Sequence, residues 1–121
     1  MGIPLNQWIT ITRGPYKIIV ADSLDKRSQG LQGVTSLPEN TLMLFPNINP
    51  GSYFHTINCF LSLDIVPISN SGEVLNIYTV KPNTKKVGPT PYLTSKILEA
   101  PAGWFHNKGI RIGDYVPLLN I

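Results

Sequence analysis

The chain has 121 residues, 42% of them hydrophobic and only 14% charged, with a net charge of +3. That is one domain's worth of chain, long enough to bury a core without disulfides or metal. Ten glycines and eleven prolines exclude a long-helix bundle or coiled coil, because proline removes a backbone donor and glycine costs backbone entropy; the total still lies below the share that marks low complexity.

In chain order, residues 7–12 (QWITIT) set Trp8 among β-branched neighbours and predict a strand. Arg13-Gly14-Pro15 turns it into a second, residues 16–21 (YKIIVA). Asp22 or Ser23 then caps a short helix near residues 23–30, with Asp25 in its first turn and Gly30 at its end. Leu24, the apolar stem of Arg27 and Leu31 recur there at helical spacing. Residues 41–45 (TLMLF) predict a third strand after the turn at Pro38-Glu39-Asn40, and residues 47–51 a loop. Residues 53–59 and 61–68 follow as strands, the second nearly all apolar around Asp64. Asn70-Ser71-Gly72 is a hairpin turn from which residues 73–80 return.

Residues 81–91 are polar and carry Pro82, Pro89 and Pro91. They form the longest irregular stretch, where a functional loop is expected. Residues 92–99 predict another strand. Pro101 opens a helical turn over 102–107 that Gly109 closes, and Gly113-Asp114 joins 110–112 to 115–116 in a last hairpin. The many short strands and frequent turns predict a mainly β fold, an antiparallel sandwich or barrel with one short α-helix near residues 23–30, and a single domain over residues 1–121.

The basic residues are scattered, except for Lys81, Lys85 and Lys86 with Lys96 nearby. A specific nucleic-acid binder shows a denser basic stripe interleaved with aromatics, so this group reads as a solvated loop. A single cysteine, Cys59, forbids an intrachain disulfide and fits a reducing compartment. The start of the chain lacks the basic stretch and apolar run of a secretory signal, and no apolar run approaches the roughly 18–20 residues that span a bilayer. A soluble protein made in the cytoplasm, with no membrane partner, is expected.

His55, Asn58, Cys59 and Asp64 lie close together and invite a catalytic reading. If residues 53–59 form one strand, His55 and Cys59 share a face but sit four residues apart, roughly 13 Å at ~3.3 Å per residue. A base must reach its nucleophile at about 3 Å, so the pair is excluded unless the strand breaks. Cys59 then reads as a small buried hydrophobe. Asp64 in an apolar strand must find donors or raise its pKa. Asn58 is a donor if the chain folds back, which makes the pair either a buried structural link or a contact in a cleft. Arg27 pairs with a carboxylate across the sheet, Asp64 being one option. Trp104, Phe105, Tyr53, Phe54 and Tyr92 fill the core or line a cleft.

Two histidines and one cysteine without paired spacing give no metal site. Gly30-Leu31-Gln32-Gly33 is too short for a phosphate loop and follows a helix. The binding candidates are therefore Asp64, Asn58, Arg27, His55 and Trp104, with no catalytic residue, metal or cofactor.

Four stretches carry a resemblance: VADSLDKRSQGLQGVTSLPE (20–39), MLF (43–45), NCFLSLDI (58–65) and LEAPAGWFHNKGIRIGDYV (98–116). In their order and spacing they resemble the bacterial and archaeal family numbered 192 among domains of unknown function, over about residues 17–116. The resemblance implies a mainly β, jelly-roll-like sandwich with a small helix after the first strands, and no established reaction. Where that family writes aromatic-Trp-Met-Lys-Asn before its Leu-Asp-Ile, this chain has Phe54-His55-Thr56-Ile57-Asn58. The resemblance therefore does not imply for this chain whatever the family does through the Trp, Met and Lys side chains. Many family members are exported; this chain begins without an export signal.

The shortage of reactive residues favours a non-enzymatic interaction or structural module with protein partners or self-assembly. Apolar residues near both ends, Ile3, Leu5 and Trp8 at one and Leu118, Leu119 and Ile121 at the other, suit docking on neighbouring subunits. A subunit of a larger assembly, such as a virion surface or decoration protein, is one concrete version. The alternative is a small-ligand receptor or enzyme with a cleft around Asn58, Asp64 and Arg27.

Overall fold

Thr41–Phe45 (TLMLF) and Leu63–Ser69 (LDIVPIS) are buried at every position. Runs without polar alternation belong in the middle of a sheet that is covered on both faces. The computed structural model describes residues 4–116 and places them there. Ile3, Leu118, Leu119 and Ile121 lie outside the described residues.

Six strands form the sheet: β1 (Ile9–Arg13), β2 (Tyr16–Val20), β3 (Thr41–Phe45), β4 (Leu63–Ser69), β5 (Tyr78–Val80) and β6 (Thr94–Pro101), in the order β1-β2-β3-β6-β4-β5. The mainly β expectation holds. The sheet is mixed rather than wholly antiparallel, and it does not close into a barrel: β2 and β3 pair in parallel, with Lys17 opposite Thr41 and Val20 opposite Leu44. Parallel neighbours need a crossover of a dozen or more residues. The segment after β2 supplies it and carries α1 (Leu24–Gln29). Ser23 caps α1, its Oγ accepting from the Lys26 N–H at 3.2 Å, while Asp22 pairs with the Lys26 Nζ at 3.0 Å. Gly30, at φ +50°, ends the helix.

Two apolar layers cover the sheet. On one face Trp8, Ile19, Leu31, Met43, Phe45, Cys59, Ile65 and Ile97 are buried together. On the other, Ile18, Leu42, Leu44, Val66, Ile68, Leu98 and Phe105 are, with α2 (Trp104–Asn107) packed beside them. α1 itself buries no residue, and Leu24 is 71% exposed. Of the expected helical face, only Leu31, just past the helix, reaches the core.

Three expected strands differ. Residues 53–59 keep only one bridge, Phe54 to Val87, because Asn58 adopts φ +63° and the Thr56 hydroxyl ties the chain to Lys81 and Thr84. The return from the Asn70-Ser71-Gly72 turn leaves the ladder after Val74 and rejoins it only at Tyr78. Residues 110–116 form no hairpin of their own. They bond across to 72–74 instead, with Val116 N–H donating to Gly72 O and Gly113 N–H to Val74 O, both at 2.8 Å.

Candidate functional site

A cleft of about 380 Å³ lies between α1, the 52–59 segment and the sheet. Arg27 and Ser28 of α1 form one wall with Gly30 and Gln32. Tyr53, His55 and Cys59 form the other, and Phe45 and Glu99 contribute from the sheet. Each wall has a local cause. Gly30 lets the chain leave α1 sharply, and a Cβ there would touch Phe45 Cζ at 3.7 Å. Phe45 and Phe54 meet edge to face, with centroids 6.2 Å apart. Thr56, buried, donates its hydroxyl to Lys81 O at 2.7 Å and accepts from the Thr84 N–H at 2.9 Å. That pair of bonds pins the second wall to the 81–91 segment.

Glu99 is the feature that sequence reasoning missed. It sits in the middle of β6, opposite Met43 of β3 and Ile65 of β4, and is 5% exposed. No described donor bonds its carboxyl group. Burial alone pushes its pKa up to about 8, so at neutral pH it is largely a neutral acid. The signal was present in the sequence: Glu99 is a lone acid between Leu98 and Ala100, as Asp64 is between Leu63 and Ile65. Burial also pushes the Cys59 thiol up to about 11, with the Glu99 charge adding to it. A thiol this hard to ionise is no nucleophile at neutral pH.

The candidates read from sequence separate in space. Arg27 and His55 line the Glu99 cleft. The 53–59 strand is broken, so His55 and Cys59 share that cleft after all. His55 Nδ1 accepts from the Ile57 N–H at 3.1 Å. Asp64 pairs with Ala100 in the ladder and faces away from the cleft, on the same side as Leu98 and Val66. Its donors are the Thr79 hydroxyl at 2.8 Å and the Gly103 N–H at 3.0 Å, not Asn58, and it does not meet Arg27. Those bonds hold β5 and the start of α2 to β4. Asn58 is exposed and acts through its backbone, its carbonyl accepting from the Gly33 N–H and its N–H donating to Asn83 Oδ1, both at 3.0 Å. Trp104 packs edge to face on Tyr16 and Phe105, with the Lys108 ammonium 5.8 Å from its ring centroid. Its buried Nε1 has no partner among the described residues.

Among the described residues no three His, Cys, Asp or Glu side chains are grouped to hold a metal ion, and no helix is long and apolar enough to cross a membrane.

No curated protein matches the chain. Two crystal structures share its fold. One, of a candidate transcription regulator from Sinorhizobium meliloti 1021, is 23% identical with a TM-score of 0.75, covering 83% of this chain and 79% of that one. The other, of a protein of unknown function from Novosphingobium aromaticivorans DSM 12444, is 26% identical with a TM-score of 0.70, covering 88% of this chain and 80% of that one. The sequence profile of DUF192, described as Uncharacterized ACR, matches residues 8–118. On that match, which spans nearly the whole chain and agrees with the motifs read from it, the protein belongs to the DUF192 family.

Proposed function

We propose that this protein is a non-enzymatic binding module that takes a small polar ligand in the cleft between α1 and the 52–59 segment. One observation carries the reading: Glu99, 5% exposed, lines that cleft and its carboxyl group bonds to no described residue. A carboxyl group that opens on a cleft and has no protein partner is left to pair with a ligand's own polar group. Pockets of several hundred Å³ with a few convergent polar groups are the usual form of small-molecule sites. Binding rather than turnover is favoured by the Cys59 thiol, which burial keeps protonated at neutral pH. The test is a fragment screen read by amide chemical shifts. Binders should perturb residues 27–32, 52–59 and 99 together, and Glu99→Leu should abolish the response. A screen in which no fragment perturbs those residues overturns the proposal.

A second reading, a self-assembling subunit of a larger structure such as a virion surface, is favoured by a separate observation. Tyr92 and Leu93, adjacent in the chain, are 87% and 63% exposed. Apolar side chains set out side by side suit a protein contact better than solvent.

A further inference from the structure

The identity of the ligand follows from a second group in the same cleft, and the inference rests on the cleft reading above. Arg27 is half-buried on the α1 wall, and no described carboxylate lies within ion-pair distance of it. Its neighbour Lys26 pairs with Asp22, to which Arg27 adds only a weaker attraction. Among the described residues no ion pair joins Arg27 to Glu99. Both line one cleft of about 380 Å³, and neither side chain bonds to a described residue.

We propose that the cleft binds a compact organic carboxylate, its carboxylate on the Arg27 guanidinium and an uncharged hydroxyl or carbonyl group on the Glu99 carboxyl. A guanidinium presents a planar fork of N–H donors that matches a carboxylate in two parallel bonds. A phosphate dianion asks for more positive charge than this cleft holds, since Arg27 is the one Arg or Lys among its described lining residues. A protonated carboxyl both donates and accepts, which suits a hydroxyl or carbonyl. An ammonium group would have to displace that proton first. His55, whose Nδ1 is already engaged by the Ile57 N–H, has its Nε2 left for the ligand.

The other titratable groups facing Glu99 across the cleft are Tyr53, His55 and Cys59 from the second wall and Arg27 from α1. Isothermal titration with hydroxy and oxo acids of three to six carbons, their methyl esters and the matching amino acids separates the possibilities. The free acids should bind, and the esters should bind at least tenfold more weakly. Arg27→Ala should weaken the acids by a similar factor. Between pH 7 and pH 9 the acids should lose about tenfold in affinity, as Glu99 gives up its proton near pH 8. Glu99→Gln, which still donates and accepts, should bind the acids without that loss, whereas His55→Gln and Cys59→Ala should keep it. Esters that bind as well as acids overturn the proposal, and so do amino acids that bind with proton release, or a pH loss that survives in Glu99→Gln. If uncharged or cationic fragments perturb the cleft and no acid does, the ligand class fails while the cleft stands. If nothing perturbs it, both fail.

Discussion

Asp64 and Glu99 are both buried acids in apolar strands, and their neighbours give them opposite characters. Asp64 accepts from the Thr79 hydroxyl and the Gly103 N–H, so it is fixed in place. Asp64→Ala would leave that N–H without its acceptor, and the expected cost is about 2–3 kcal/mol of unfolding free energy by denaturant titration. A variant as stable as the parent would show that these bonds contribute nothing. Glu99 has burial and no hydrogen-bond partner among the described residues. An ordinary glutamate gives up its proton near pH 4.5, whereas Glu99 holds it to about 8. Its contribution to stability is therefore full below pH 4.5, shrinks as pH rises through that window, and is lost above 8. One proton corresponds to a slope of up to about 1.4 kcal/mol per pH unit. Glu99→Gln stays neutral throughout, so melting temperatures measured from pH 5 to pH 9 should decline less in the variant than in the parent. Equal declines would show that Glu99 is not the group responsible.

At the scale of elements, the cleft depends on one segment bonding to another far along the chain. The Phe54 N–H and carbonyl exchange bonds with Val87, at 2.8 and 2.7 Å, and the Thr90 N–H donates to Ser52 O at 2.9 Å. Gly88 sits between those links at φ +122°, and a Cβ there would come within 2.8 Å of Ser52 O. Gly88→Ala should therefore displace the 52–54 wall and cost roughly 1–3 kcal/mol, seen as lower denaturation midpoints together with shifted amide signals at residues 52–59. Unchanged signals there would mean that the wall stands without this contact. The same dependence explains what the sequence could and could not reveal. Residues 16–21, 23–30, 41–45 and the Asn70-Ser71-Gly72 turn were legible because caps, β-branched runs and turn residues are local signals. The break at 56–59 was not, since Thr56 finds its partners 25 and 28 residues away. The donors of Asp64 lie 15 and 39 residues on, so its choice of Thr79 and Gly103 over Asn58 was equally hidden. The family resemblance was legible from four ordered motifs, while the site was read only in part: Arg27 and His55 belong to the cleft, and its most buried polar member went unnoticed.

For the whole molecule, the two readings differ in the mass of the particle in solution. The assembly reading expects sedimentation in dilute solution at a multiple of the chain mass, reduced to a single chain by replacing Tyr92 and Leu93 with serine. A parent that sediments as one chain would remove that reading and leave the cleft untouched. The strand order bears on how the molecule comes into being. β6, last of the strands in sequence, lies at the centre of the sheet between β3 and β4. During synthesis, β1-β2-β3 and β4-β5 emerge as two incomplete sheets with the inner edges of β3 and β4 unpaired, the kind of edge that recruits foreign strands. Translation of residues 94–101 closes both edges in one event and delivers Glu99 with them. The ribosome thus completes the cleft and removes the aggregation hazard in the same step, and a nascent chain stalled before that point would present both open edges to a chaperone.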